Sequence, residues 1–175
     1  MKYYYNWKKS DEGQRLLNKC VLDPEGLLDG NGKIQGVYIV YAVNESLKIS
    51  IPLYCGESGF VAGVKPFIAQ NIGDRLLQHI KAWIANGYEE YWTGLNQEDF
   101  ANGWRYRLHV LQVEPDYAKR LALESKFIEE LRPVLQDSAG KYQKYHSSYT
   151  RNDLCIAPFH MQRRTAFLER LNCVG

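Results

Sequence analysis

The chain has 175 residues, 45% of them hydrophobic and 24% charged, with 22 Lys and Arg against 20 Asp and Glu. That size and balance suit a compact domain with a buried core and exclude wholesale disorder. No run approaches the roughly 20 consecutive apolar residues that a membrane-spanning helix needs, and the Tyr- and Lys-rich start, Met1 to Ser10, lacks the apolar stretch of a secretory signal.

A soluble, cytoplasmic protein is expected, with no membrane partner. Cys20, Cys55, Cys155 and Cys173 show no C-x-x-C spacing, so a zinc ribbon or thioredoxin-like motif is unsupported. Two disulfides are compatible with the count, but reduced thiols fit a chain without an export signal.

Residues 1–35 read as a polar lead-in that ends on the turn signal Asp29-Gly30-Asn31-Gly32. Residues 36–56 read as a β-hairpin. Gly36 to Val43 is rich in β-branched and aromatic residues, Asn44-Glu45-Ser46 is turn-like, and Leu47 to Tyr54 resumes the apolar pattern. Pro52 cannot donate to a ladder, so it marks an edge strand or a bulge.

A Gly- and Pro-containing loop covers 59–66. Ile72, Leu76, Ile80 and Trp83 then recur at helical spacing and predict a helix over about 66–86, ended by Asn86-Gly87. A polar loop spans 88–103. A third strand is predicted over 104–113, with Trp104, Tyr106, Leu108 and Val110 on one face and Arg105, Arg107 and His109 on the other. Pro115-Asp116 opens a helix to about Leu131, with Pro133 just beyond it, and a last helix is predicted over 159–171.

The order β-β-α-β-α predicts an α/β fold: a small three-stranded, antiparallel-containing sheet flanked by helices, with an added C-terminal helix. Three regions follow, a lead-in over 1–35, a core over 36–136 and an extension over 137–175. Lys and Arg against Asp and Glu number 6 and 5, 10 and 12, and 6 and 3 in these regions. The extension is therefore basic, and Tyr142, Tyr145, His146 and Tyr149 lie among its cations Lys141, Lys144 and Arg151. Such a mixture suits a phosphate backbone and stacked bases, and equally suits a solvated surface with a few anchoring rings. Arg105, Arg107 and His109 likewise read either as a basic stripe or as an ion-paired, solvated sheet face. Trp83, Trp92 and Trp104 read as core residues rather than as a stacking platform.

Five polar residues fall in an order that carries chemistry. Gly36-Val37-Tyr38 lies on the first strand and Tyr54-Cys55-Gly56 closes the second. Arg75 and His79 lie one turn apart on the first long helix. Glu124 shares the spacing of Leu121, Ile128 and Leu131 on the next. A carboxylate among apolar neighbours is costly unless it is paired or binds metal; the bland alternative is a border Glu that reaches water.

This ordered set resembles the GIY-YIG nuclease family over residues 36–136, including the run from Leu123 to Pro133. The chain departs from the family pattern at Val37 and Cys55, each in place of Ile, at Gln136 in place of Asn, and in a somewhat long separation of the two tyrosines. The resemblance implies a Mg²⁺- or Mn²⁺-dependent endodeoxyribonuclease. In it Tyr38 would deprotonate the attacking water and Tyr54 would hold the water or the phosphate. Arg75 and His79 would bind the scissile phosphate, and Glu124 would ligate the metal. The expected ends are a 5′-phosphate and a 3′-hydroxyl. DNA is the implied partner, Arg105, Arg107, Lys141, Lys144 and Arg151 are candidate DNA-binding residues, and a stand-alone restriction- or phage-type enzyme is expected. Double-strand cutting by one site would require a homodimer or two successive nicks. The alternative is a catalytically silent module of the same fold that binds nucleic acid or protein.

Overall fold

The computed structural model describes residues 9–28, 34–61, 71–77, 95–136 and 156–174, apart from the side chains of 12, 16 and 156–164. Their elements in chain order are α1 (Asp11–Leu17), β1 (Cys20–Asp23), β2 (Gly36–Asn44), β3 (Ile49–Ser58), the helical residues 72–77 (α2), α3 (Gln97–Ala101), β4 (Trp104–Val113), α4 (Tyr117–Leu131) and α5 (Ile156–Val174). The class is α/β, but the sheet has four strands rather than the predicted three, in the order β1-β4-β2-β3. The extra strand comes from the supposed lead-in. β1 pairs parallel with β4, Cys20 opposite Tyr106 and Asp23 opposite His109, whereas β2 pairs antiparallel with both β3 and β4. Four residues are too few to show a period, which is why β1 escapes a reading of the sequence. The polar loop predicted over 88–103 also contains the short helix α3, opened by a capping box between Asn96 and Asp99.

Alternation sends Tyr38, Val40 and Ala42 of β2 to one face of the sheet and Val37 to the other. The first face carries the main core, in which Tyr38, Val40, Leu53, Tyr54, Ile72, Leu76, Trp104, Tyr106, Leu108 and Phe167 are buried together. The second carries a smaller cluster of Val37, Cys55 and Ile128, packed by Leu111, Leu123 and Phe127. Thus α4 covers one face, while α2 and Phe167 of α5 cover the other. Leu123, Phe127 and Ile128 form the packed side of α4; Leu121, placed on that stripe by spacing alone, is exposed. Phe167 meets Trp104 edge-on at 5.3 Å between centroids, and Arg170 donates to the carbonyl of Arg132 at 2.6 Å. Arg132 adopts the left-handed conformation that ends α4.

β3 is the edge strand that Pro52 announces, and it is bulged there. The register shifts between Val40 and Tyr41, whose partners are Tyr54 and Pro52, so Leu53 is the extra residue. Without the bulge, Tyr54 would fall on the face opposite Tyr38. With it, both rings enter the main core.

The exposed edge of β3 is covered rather than left open. Val134 N–H donates to the Pro52 carbonyl at 3.0 Å and Leu135 N–H to that of Leu53 at 2.9 Å. The Gln136 amide both accepts from Cys55 N–H and donates to Cys55 C=O, each at 2.7 Å. No described helix is long and apolar enough to cross a membrane.

Candidate active site

The two tyrosines of the motifs meet at the end of the β2–β3 hairpin. Their ring centroids are 6.1 Å apart at 47°. Both are buried, Tyr38 completely and Tyr54 to 5% exposure. Gly56 lies opposite Tyr38 in the ladder. A Cβ there would stand 2.7 Å from the Tyr38 hydroxyl and 2.9 Å from Cε1 of Tyr54. The glycine of the Tyr-x-Gly motif therefore exists to admit both rings.

Arg75 is set by the entry to α2. Ser58, the last residue of β3, donates its hydroxyl to the Asn71 carbonyl at 3.0 Å. The Asn71 side chain accepts from Asp74 N–H at 2.9 Å and donates to the Asp74 carboxylate at 2.7 Å. Ile72 N–H bonds the Ile34 carbonyl at 2.8 Å, tying the start of α2 to the residues before β2. Arg75, half-buried, follows within one turn.

Glu124 approaches from α4 on the other side of the sheet. Backbone groups of a strand repeat direction every second residue, so Leu53, Cys55 and Glu57 turn theirs to the same outer edge of β3. The first two meet Leu135 and Gln136, and the Glu57 N–H faces the Glu124 carboxylate. The Glu124 carboxyl is pushed up to about 7, first by burial and then by repulsion from the Glu57 carboxylate; the Glu57 N–H and the nearby Arg75 charge oppose the shift. Burial and then Glu124 push the neighbouring Cys55 thiol up to about 12, which leaves it protonated and removes it as a nucleophile.

The structure thus brings Tyr38 against Tyr54 on the main-core face, and Glu124 into the field of Arg75 at the end of β3. His79 lies outside the described residues, as do Lys141, Lys144, Arg151, Trp83 and Trp92. Arg105 and Arg107 lie elsewhere, on β4, with partners inside the chain. Arg105 donates to the carbonyls of Phe100 and Trp104 at 2.8 and 2.6 Å, and Arg107 pairs with Glu45 at 2.5 Å. His109, between them and the site, pairs with Asp23 at 2.7 Å. Trp104 is a core residue. Gln136 makes two hydrogen bonds to the backbone of Cys55.

Among the described residues no three His, Cys, Asp or Glu side chains form a metal-holding group. The donor available is a carboxylate whose charge is poorly compensated by the protein, next to a second carboxylate. That fits Mg²⁺ or Mn²⁺, which favour oxygen and, for Mg²⁺, need one or two carboxylates with water completing the shell. Glu57 and Arg120 are the site neighbours that the sequence did not single out; neither shows a motif, and the two are joined only across the fold. Cys20, Cys55 and Cys173 are free thiols. No family model, curated protein or solved structure matches the chain, so the resemblance rests on the motif residues and their placement.

Proposed function

We propose that the chain is a metal-dependent DNA endonuclease of the GIY-YIG kind, hydrolysing phosphodiester bonds to 5′-phosphate and 3′-hydroxyl ends. The observation that carries this reading is Glu124: a half-buried carboxylate at the outer edge of β3, next to the Glu57 carboxylate and within the field of Arg75. Pure scaffolding gives no reason to place an undercompensated carboxylate there.

In this reading the Arg75 guanidinium grips the scissile phosphate as a fork and neutralises charge that develops on it. Tyr38 takes the proton of the attacking water and Tyr54 orients that water or the phosphate. A phenol titrates near ~10, so Tyr38 depends on nearby positive charge to act as a base. His79 joins Arg75 at the phosphate. A divalent cation bound at Glu124 would supply electrostatic stabilisation of the leaving 3′ oxygen. DNA must open access to Tyr38, which is covered in the free chain; catalytic hydrogen bonds often form fully only in the complex.

The burial of Tyr38 is also what favours the second reading, a catalytically silent module that binds nucleic acid or protein. A plasmid-cleavage assay in Mg²⁺ or Mn²⁺ separates the two. The nuclease reading expects metal-dependent nicking or linearisation that Glu124→Ala reduces by at least about 100-fold, with DNA binding retained. Absence of cleavage by the parent, or equal cleavage by the variant, rejects it.

A further inference from the structure

Arg120 lies one turn before Glu124 on α4, so the two side chains rise from the same face of the helix. Most helical arginines reach solvent; this one is completely buried. Its Nε donates to the Glu57 carboxylate at 2.9 Å. Its Nη1 donates to the Pro115 carbonyl at 2.6 Å and, more weakly, to that of Glu114 at 3.4 Å, and Nη2 donates to the Phe60 carbonyl at 3.0 Å. The guanidinium is thus bonded to the end of β3, the segment after it and the segment that leads from β4 into α4.

The chain makes room for this group. A Cβ at Gly59 would lie 2.5 Å from Cζ of Arg120 and 2.7 Å from Nη1. The Tyr117 ring stands 5.6 Å from Cζ, within cation–π range.

A buried ion pair is weak evidence for stability, because well-packed apolar residues often serve as well. Its geometry is more informative. Glu57 is gripped from α4 by Arg120 through its carboxylate, and that carboxylate and the Glu57 N–H both act on the Glu124 carboxyl. The strand end therefore cannot shift without moving the group that orients the Glu124 carboxylate.

We propose that Arg120 is a positioning residue for Glu124, acting through Glu57, and that it fixes the carboxylate in the orientation that binds the divalent cation. This role rests on the nuclease reading. Outer partners that orient a metal ligand typically alter affinity or activity by about 10- to 100-fold when changed, and residues that act through one path are not additive.

The test uses the full chain, Mn²⁺ alone as the probe, and the variants Arg120→Lys, Glu57→Gln and their combination. Arg120→Lys keeps the charge but loses the fork. Thermal unfolding establishes that each is folded, electron paramagnetic resonance measures Mn²⁺ affinity, and plasmid cleavage gives kcat and KM. The expected result is a loss of about tenfold in Mn²⁺ affinity in each single variant, with kcat lowered and KM for DNA little changed. The double variant should be no worse than the poorer single one. If Arg120→Lys does not fold, Glu57→Gln carries the measurement. A folded single variant with parental Mn²⁺ affinity, or additive losses in the double variant, overturns the positioning role. Parental Mn²⁺ binding equal to that of Glu124→Ala removes the metal site itself, and both readings with it.

Discussion

Gln136 and Cys55 are joined as a strand would be joined to its neighbour. The Gln136 side-chain amide accepts from Cys55 N–H and donates to Cys55 C=O, both at 2.7 Å and both buried. A side chain thereby replaces one rung of a ladder on the outer edge of β3, at the centre of the Tyr54-Cys55-Gly56 motif. It follows two backbone bonds from Val134 and Leu135, so the segment after α4 seals the edge and holds the motif at a set distance from Glu124's helix.

Replacing Gln136 by Leu should leave both Cys55 backbone groups without these partners. Unsatisfied buried polar groups cost about 1–3 kcal/mol each, so a loss of about 2–4 kcal/mol is expected in urea unfolding. Stability within about 0.5 kcal/mol of the parent would show that solvent or another group replaces the amide.

Glu124 gives a pH signature to the metal-free fold. Its carboxyl is held at about 7 by burial and by Glu57, against about 4.3 in an unfolded chain. Between these values the folded state binds more protons, so Glu124's contribution to stability is present at low pH and is lost as pH rises through about 7. Glu124→Gln, which stays neutral, should lack this loss. The variant should be more stable than the parent at pH 8 by about 1 kcal/mol, the full shift being discounted for solvent screening of a partly exposed group, and the advantage should vanish near pH 4.5. Urea unfolding with a chelator at both pH values checks this; a constant difference between the two proteins would contradict it.

Tyr38→Phe removes a hydroxyl and keeps the ring that packs on Tyr54 and Gly56. General-base contributions are typically about 10²–10⁴-fold, so cleavage should fall by at least about 100-fold while DNA affinity and the melting temperature stay close to the parent's. Single-turnover cleavage and a binding titration separate these quantities. Undiminished cleavage would reassign the base.

The basic extension should carry much of the DNA affinity, because residues 36–136 hold 10 Lys and Arg against 12 Asp and Glu. Arg107 on β4 is also engaged with Glu45. Changing Lys141, Lys144 and Arg151 together to Ala should weaken binding and flatten its salt dependence by about one unit of log–log slope for each phosphate that is no longer neutralised. The cleavage rate of the bound complex should not change. Equal affinity and slope would leave the tail cations as solvated surface.

What the sequence determined by itself was local and periodic. The hairpin from Gly36, the strand Trp104–Val113 and the helix opened by Asp116 and ended before Pro133 could all be read from spacing, turn chemistry and caps, because short-range sterics and hydrogen bonds set them. Pro52 signalled an edge strand or a bulge, and β3 is both. The order of Tyr38, Tyr54, Arg75 and Glu124 along the chain carried the functional reading. Tertiary structure alone decided that Cys20–Asp23 completes the sheet by pairing with β4, since a strand of four residues shows no period of its own. It alone decided that Tyr54 turns inward with Tyr38, because the bulge at Leu53 reverses the alternation. Arg120 and Glu57, 63 residues apart, resemble ordinary surface charges in the sequence; their pairing becomes visible only when α4 folds over β3 and water is excluded from between them. The raised Glu124 carboxyl has the same origin. Burial and long-range charge depend on which segments meet, and local spacing does not encode that.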